Sequence, residues 1–209
     1  TSYGWLDSKG VINIDGVGFA AEQGPGAGTS ERGIGSGAGY GGTGGRNGGK
    51  AYGSVYTPMH LGSGGGNGRG AGGSGGGYLI WKISTYFELN GLLTANGKDG
   101  NGGNAGGGSG GSILIESTNM TGHGEVSVLG GKGNGEGGGG AGGRVGIHCR
   151  WRYSYGGTFY DHGGQGNRNG APAGTIYKEE NLRPLQYREL KYRKNRNTTY
   201  LAVDHTYLH

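Results

Sequence analysis

The sequence predicts an all-β repeat fold, in which short strands recur about every 33 residues as a β-solenoid or a sandwich-like stack. Three observations support this. Short apolar strands follow Gly91, Gly124 and Gly157, which are 33 positions apart. Each of these strands leads into a glycine-dense stretch and then into a second apolar strand. Within the strands, apolar residues alternate with the period of two that a half-buried strand requires. One unit of such a repeat cannot bury its apolar face without a neighbour.

The opening strands of the units share one pattern of inward positions. These positions are Ile12 and Ile14, Leu93 and Ala95, and Val126 and Val128. Because successive side chains of a strand point to opposite faces, the residues between them are expected to face outward. The unit that begins at Gly157 departs from the pattern, since its second inward position is Asp161. We expect there either a slip in register or a place at the end of the stack.

The second strands show the same alternation. Their predicted inward pairs are Leu79 and Trp81, Ile113 and Ile115, and Val145 and Ile147. Alternation places Cys149, the only cysteine of the chain, on the same face as Val145 and Ile147. Cys149 is therefore either a small buried residue or a thiol that forms an intermolecular disulfide.

The glycine segments between the strands are predicted to be ordered. Glycine accounts for 59 of 209 residues and hydrophobic residues for only 31%, which alone would favour disorder. However, segments such as 97–110 recur with similar lengths, and a flexible loop in every unit would cost closure entropy each time. The alternative is polyglycine II, an extended three-residue helix that packs closely and hydrogen-bonds to its neighbours. We expect packed polyglycine II helices mounted on the strands.

A change in composition divides the chain into two predicted regions. Residues 1–178 form the glycine-rich strand and polyglycine region, with an insertion at about 16–77. Residues 179–209 contain no glycine, and residues 178–196 carry seven cations against three acids, an excess of four beside the chain's net charge of +5. Apolar residues alternate on both sides of the turn-like segment 194–197, which predicts a β-hairpin.

Several strings carry a resemblance to a known group of proteins. They are Ala-Tyr-Gly-Ser-Val-Tyr-Thr-Pro at 51–58, Leu-Gly-Ser-Gly-Gly-Gly at 61–66, Leu-Thr-Ala-Asn-Gly at 93–97, Gly-Gly-Ser-Ile-Leu-Ile at 110–115 and Gly-Gly-Ala-Gly-Gly-Arg-Val at 139–145. Together they resemble a glycine-rich repeat region of very large secreted and cell-surface proteins of invertebrates and microbes. More loosely, the glycine segments are similar to polyglycine-helix domains of phage adhesins and receptor-kinase ectodomains. The resemblance covers about residues 10–178 and implies an extracellular location with a structural or adhesive role.

Two triplets match the acceptor pattern for N-glycosylation, at Asn119 and Asn197. Both are expected to lie at strand ends or turns and to carry glycans in the native source. Chance occurrence is the alternative, since such triplets are common.

No catalytic, cofactor or metal site is expected. The pattern Gly-x-Gly-x-x-Gly recurs, but no strand–loop–helix unit follows it and Gly-Lys-Ser/Thr is absent. The six histidines lack the spacing of metal ligands. No apolar run is long enough to cross a bilayer, so membrane insertion is not expected. The chain is accordingly predicted not to be an enzyme.

Two sets of aromatic and basic residues are candidate contacts for assembly or for a glycan. They are Arg188, Lys191, Tyr192 and Arg193 in the basic segment, and Trp151 and Tyr153 between the glycine segments. Interleaved cations and aromatic rings suit nucleic acid or an anionic polysaccharide, and the extracellular context disfavours nucleic acid. The alternatives are a solvated hairpin and aromatic residues that cap a thin core.

The leading hypothesis is an extracellular structural repeat protein, a subunit or module of a fibre, matrix or surface appendage. Its partner is expected to be a further copy of itself, in a homo-oligomer or filament. The C-terminal hairpin is expected to join the copies, because an unpaired edge strand is a template for another chain. The hairpin could instead cap its own stack. The competing hypothesis is a glycan-binding adhesin module that uses the aromatic and basic patches.

Overall fold

The computed structural model describes residues 3–167, 170–182, 185–194 and 197–201 of the 209-residue chain. These residues contain thirteen strands and no α-helix. In chain order the strands are β1 (Tyr3–Leu6), β2 (Val11–Asn13), β3 (Ser30–Glu31), β4 (Ile34–Gly35), β5 (Tyr78–Leu89), β6 (Leu92–Thr94), β7 (Ser112–Gly122), β8 (Glu125–Ser127), β9 (Arg144–Tyr155), β10 (Thr158–Tyr160), β11 (Thr175–Leu182), β12 (Leu185–Lys194) and β13 (Asn197–Leu201).

Two main sheets share one core. The seven-stranded sheet has the order β1-β5-β7-β9-β11-β12-β13, and the four-stranded sheet has the order β10-β8-β6-β2. The strands β1 to β11 of the first sheet and all strands of the second are parallel. Each coil runs along a long strand, turns into a short strand and returns through a glycine segment. The predicted all-β repeat fold is confirmed as a β-solenoid of about three turns with a period of roughly 33 residues.

The register shows the period directly. Leu92 pairs with Glu125 and Glu125 with Thr158, so neighbouring coils of the four-stranded sheet differ by 33 positions. In the seven-stranded sheet the register shifts on both sides of Thr118 in β7. Two residues of β5, and two of β9, oppose this single residue, which makes a β-bulge on each side.

The core lies between the two sheets and contains the predicted inward residues. Leu93, Ala95, Val126 and Val128 of the short strands are fully buried. The long strands contribute the predicted inward residues Ile113, Ile115, Val145 and Ile147. Phe87, Leu89, Met120 and Ile176 of the same strands complete the core. Ser127, which faces away from this core, is buried as well, and its hydroxyl donates to Oδ1 of Asn96 at 2.7 Å.

The structure decides between the alternatives stated for Asp161 and Cys149. Phe159 pairs with Val126 without any slip, and β10 is the last strand of its sheet, so Asp161 marks the end of the stack. Asp161 is fully buried. Cys149 is a free thiol with 1% of its surface exposed, and burial raises the pKa of this thiol. Cys149 is therefore the buried residue of the first interpretation.

The glycine segments are ordered and hydrogen-bonded to one another. In segment 106–111 the N–H groups donate in turn to three neighbouring segments, and every third donor returns to the same neighbour. The donor and acceptor pairs are Gly106–Gly66 and Ser109–Ser63, Gly107–Gly138 and Gly110–Ala141, and Gly108–Lys98 and Gly111–Ala95. A hydrogen-bond period of three is that of a helix with three residues per turn, as in polyglycine II. We call this bundle the glycine lattice.

The predicted hairpin is formed by β12 and β13, which are antiparallel and joined where Lys194 pairs with Asn197. It does not stand apart from the solenoid, because β12 also pairs with β11. The strand β11 spans the predicted boundary between residues 178 and 179, so the basic segment continues the seven-stranded sheet. Residues 202–209, the end of the predicted second strand, lie outside the described residues.

Candidate interaction surfaces

A segment of the insertion, residues 50–61, crosses the outer face of the seven-stranded sheet, which is the face away from the core. We call this segment the strap. Pro58 is buried against Gly146 of β9, where a Cβ would lie 2.7 Å from the proline ring. The ring of Tyr56 packs edge-on against Tyr177 of β11, with the ring centroids 4.9 Å apart. The string 51–58, singled out in the sequence, is thus the part of the insertion that docks on the sheet.

One buried cation anchors the strap. Arg144 of β9 is 5% exposed, and no carboxylate among the described residues pairs with it. Its Nε and Nη2 donate to the carbonyl oxygen of Tyr52 at 3.1 and 3.0 Å. It also donates to the Tyr40 carbonyl at 3.2 Å and to Oγ1 of Thr175 at 3.0 Å. Desolvation lowers the pKa of Arg144, and the lost hydration is replaced by these acceptors.

A histidine holds the middle of the strap. Nε2 of His148 lies 2.8 Å from the carbonyl oxygen of Tyr56, and its Nδ1 lies 3.1 Å from Oε2 of Glu179. Both partners are acceptors only, so the imidazolium form of His148 can donate to both at once. Polar contacts thus join the strap to β9, and the packing of Tyr56 on Tyr177 joins it to β11.

His148 belongs to a row of charged residues across the sheet. The register aligns Lys82, Glu116, His148 and Glu179, and continues to Arg188 of β12. Nζ of Lys82 lies 3.2 Å from Oε2 of Glu116. Glu116 and Glu179 alternate along the row with Lys82, the imidazole of His148 and Arg188. An exposed pair such as Lys82–Glu116 contributes little to stability. The row marks a polar outer surface beside the strap.

A polar groove lies at the β-bulges. It has a volume of about 280 Å³, and its lining includes Lys82, Ser84, Glu116, Thr118 and Arg150. Oγ1 of Thr118 donates to the carbonyl oxygen of Ser84 at 2.8 Å. Arg150 is exposed and makes no polar contact with another described residue. Tyr78 and its partner Ser112 are 34 residues apart, which departs from the period of 33. This departure is the sequence signal that could have located the bulges and the groove beside them.

The two aromatic candidate residues have different environments. Trp151 lies in the bulge of β9 and is 58% exposed. Tyr153 is half-buried, and Nζ of Lys178 lies 4.6 Å from its ring centroid. The backbone N–H of Tyr153 donates to Oε1 of Glu180 at 2.8 Å. Trp151 is therefore available to a partner, whereas Tyr153 covers the C-terminal end of the core, as the capping interpretation states.

The basic candidate residues lie in β12, of which the backbone register is described. Arg188 pairs with Glu179, and Lys191 pairs with Ile176, which in turn pairs with Val145 of β9. Trp151 lies six residues beyond Val145, or about 20 Å along the strand. Tyr192 and Arg193 lie still further from Trp151. The register therefore separates Lys191, Tyr192 and Arg193 from Trp151, whereas Arg188 lies in line with His148, three residues before Trp151.

The two glycosylation triplets differ in position. Asn119 lies within β7, half-buried, and its Nδ2 donates to the carbonyl oxygen of Thr85 at 3.5 Å. The expectation of a strand end or turn at Asn119 is wrong, because β7 continues past the bulge to Gly122. Asn197 is the first residue of β13. Glycosylation of either residue stays a prediction.

The described residues were compared with the requirements of a metal site and of a membrane-spanning helix, and they meet neither. There, no three His, Cys, Asp or Glu side chains are grouped so that they could hold a metal ion. The same ranges contain no helix with the length and apolar character that crossing a membrane requires. Comparison with models of protein families gives no match, and searches of curated proteins and of solved structures give no significant match either.

Proposed function

We propose that this chain is a structural repeat module of an extracellular fibre, matrix or surface appendage, and that its copies associate by strand pairing at the ends of the solenoid. One observation carries the proposal. The described strands leave sheet edges at both ends, with β1 and β2 at one end and β10 and β13 at the other. Exposed edges invite pairing with another chain unless they are covered.

The construction of the coils suits a mechanical role. The glycine lattice is hydrogen-bonded in three directions, and the strands beside it are paired along the whole stack. We expect such a body to resist bending although its apolar core is thin. The extracellular location is supported by the glycine content and by the resemblance of residues 10–178 to secreted surface proteins.

Electron microscopy of the purified chain over a range of concentrations tests the proposal. We expect filaments or end-to-end oligomers, with light scattering showing a mass that rises with concentration. A variant that lacks residues 183–209 should keep slow amide exchange in segments 97–111 and 130–143 but should not assemble. A wild-type chain that stays monomeric at every concentration would contradict the proposal.

A second candidate function is a glycan-binding adhesin module. Trp151 favours it, because this ring is exposed beside the polar groove and between Arg150 and Arg152. Aromatic rings and cations together suit an acidic polysaccharide. Affinity electrophoresis in polygalacturonate or heparin tests this. Trp151→Ala should weaken retardation about tenfold, a loss of about 1.4 kcal/mol. Trp5→Ala, at the other end and equally exposed, is the matched control. Equal retardation of wild type and Trp151→Ala would exclude this function.

A further inference from the structure

Asparagine is followed directly by glycine seven times in this chain, and six of these pairs lie in the described ranges. The six asparagines are Asn47, Asn67, Asn90, Asn96, Asn101 and Asn134. In such a pair the backbone nitrogen of the glycine can attack the side-chain amide carbon of the asparagine, because glycine has no Cβ to obstruct the approach. Asparagine is for this reason a chemically labile residue. The sequence alone does not distinguish the six pairs.

The reaction is a spontaneous deamidation that needs only water. A bond forms between the glycine nitrogen and the amide carbon, and the side-chain amide takes up the proton of that nitrogen and leaves as ammonia. The succinimide ring that results then takes up one water molecule, which breaks one of the two ring C–N bonds. The product is aspartate or isoaspartate. The reaction therefore requires a glycine N–H that is available and an asparagine side chain that can rotate toward it.

Four of the six pairs are restrained on the glycine side. The N–H of Gly48 donates to the carbonyl oxygen of Gly44 at 3.2 Å, that of Gly68 to Gly70 at 2.9 Å, that of Gly91 to Leu6 at 3.1 Å and that of Gly97 to Leu129 at 2.8 Å. A nitrogen held in this way reacts only after its segment has opened locally. The backbone hydrogen bonds of the fold thus slow the attack at these four positions.

The asparagine side chain is restrained as well in three of these four pairs. Nδ2 of Asn96 donates to Oδ2 of Asp15 at 3.2 Å, and Oδ1 of Asn96 accepts from the N–H of Leu129 at 2.7 Å. The Nδ2 groups of Asn67 and Asn90 donate to Glu22 and Glu88, at 2.7 and 2.8 Å. Rotation of these amides toward the glycine nitrogen would break the bonds that they make.

Asn101 and Asn134 have neither restraint. Over the described part of the chain, the N–H groups of Gly102 and Gly135 meet no hydrogen-bond acceptor, and the two asparagine side chains make no polar contact. All four residues are exposed to solvent. Water, the nucleophile nitrogen and the amide carbon are therefore all accessible at these two pairs.

The two unrestrained pairs occupy equivalent places in neighbouring coils. They are 33 positions apart, which is the period of the solenoid. Each lies in a turn of the glycine lattice: the N–H of Ala105 donates to the carbonyl oxygen of Gly102 at 3.3 Å, and that of Gly137 to Asn134 at 2.8 Å. The turns are stacked, since the N–H of Asn134 donates to the Ala105 carbonyl at 2.8 Å. We call these turns, residues 101–105 and 134–137, the lattice tip.

We propose that the lattice tip is a site of spontaneous deamidation, at Asn101 and Asn134, and that the fold protects the other four described Asn-Gly pairs. Each reaction replaces a neutral amide by a carboxylate, so the net charge of +5 falls by two once both sites have reacted. The two new charges appear on neighbouring coils, at the same turn of the repeat. The net charge of the protein therefore falls with its age, whatever its function.

Incubation of the folded chain in isotopically labelled water at mildly alkaline pH tests the inference. Peptide mapping by mass spectrometry should find the label at Asn101 and Asn134, incorporated at least about tenfold faster than at Asn96, where both reacting groups are hydrogen-bonded. Digestion is carried out in ordinary water, so the label separates reaction in the folded protein from deamidation during digestion. Asn96 serves as the matched control within the same sample.

Two further measurements complete the test. In denaturant the six pairs should react at similar rates, because the protection comes from the fold. The variant Asn101→Gln/Asn134→Gln should lose the acidic forms that accumulate on ion-exchange chromatography, since the longer side chain closes the ring less readily. Equal rates at Asn96 and Asn101 in the folded chain, no reaction at Asn101 and Asn134 while the denatured chain reacts, or unchanged acidic forms in the double variant would each overturn the inference.

Discussion

In each coil, the strand half and the glycine half bury different parts of the chain. In the strand half, side chains such as Leu93 and Phe87 are fully buried between two sheets. In the glycine half, Gly107 is just as buried, but what surrounds it is backbone, and a Cβ there would overlap the carbonyl oxygen of Gly131. The buried positions of the strand half therefore tolerate no loss of volume, and the closely packed positions of the glycine half tolerate no gain.

The comparison also shows what a thin core requires. Hydrophobic residues are only 31% of the chain, too few to bury the whole solenoid behind side chains. Hydrogen bonds between glycine segments, each about 2.8–3.0 Å long in segment 106–111, satisfy the buried amides where side chains are missing. Close approach of the backbones is possible only because glycine has no Cβ.

The largest expected effect is a gain of volume in the glycine half. Gly107→Val should lower the free energy of unfolding by more than about 4 kcal/mol or prevent folding, since the overlap is with backbone that cannot move aside. Thermal unfolding followed by circular dichroism measures this. Gly103→Val is the control, because a Cβ at Gly103 meets only the Arg69 side chain, at 3.4 Å and beyond. Equal melting temperatures of the two variants would show that the glycine helices are not closely packed.

The next effect is a loss of volume in the strand half. Phe87→Ala should cost about 4 kcal/mol, because the ring is fully buried and packs against Trp81 with the centroids 4.8 Å apart. Chemical denaturation measures the cost, and Tyr78→Ala, half exposed, should change it by less than about 1 kcal/mol. Amide exchange should accelerate equally in both halves if they unfold together. Acceleration confined to the strands would separate the halves into independent units.

A smaller effect is expected where the insertion joins the sheet. Arg144→Leu removes the donors to the carbonyls of Tyr40 and Tyr52 and should cost about 3 kcal/mol. The strap should then become sensitive to limited proteolysis at low protease concentration. Arg152→Leu is the control, since Arg152 is exposed and, among the described residues, hydrogen-bonds only to Ser154 two residues away. A resistant strap in Arg144→Leu would mean that apolar packing of Pro58 alone holds it.

The smallest effect is a change of stability at high pH. Burial raises the pKa of Tyr52 in the strap to about 12 and also raises that of Tyr155 in the core, from an ordinary value of 10.0. Because the folded state disfavours the phenolate, this stability is complete below pH 10 and is lost as the pH rises toward 12. Unfolding midpoints between pH 9 and pH 12 should fall less steeply for Tyr52→Phe than for Tyr56→Phe, which alters an exposed ring. Parallel curves would assign the alkaline loss to other groups.

Most of the fold could be predicted from the sequence because each repeat has its own local pattern of apolar residues and glycine. Alternation located the inward residues Ile113, Ile115, Val145 and Ile147, and equal segment lengths predicted ordered glycine helices. It placed Asn119 wrongly, because a bulge allows β7 to continue where the pattern breaks. Of the candidate contacts, it selected the exposed Trp151 but did not separate it from Tyr153, which lies against Lys178.

By itself the sequence determined the period, the strands and the need for glycine, since these depend on neighbours within one unit or one period. Only the tertiary structure decided which outer-face residues are buried and which segment covers them. Arg144 meets Tyr52 across 92 positions of the chain, and Ser112 donates to the His60 carbonyl across 52. Contacts of this range follow from how coils and insertion pack in space, and no local pattern encodes them.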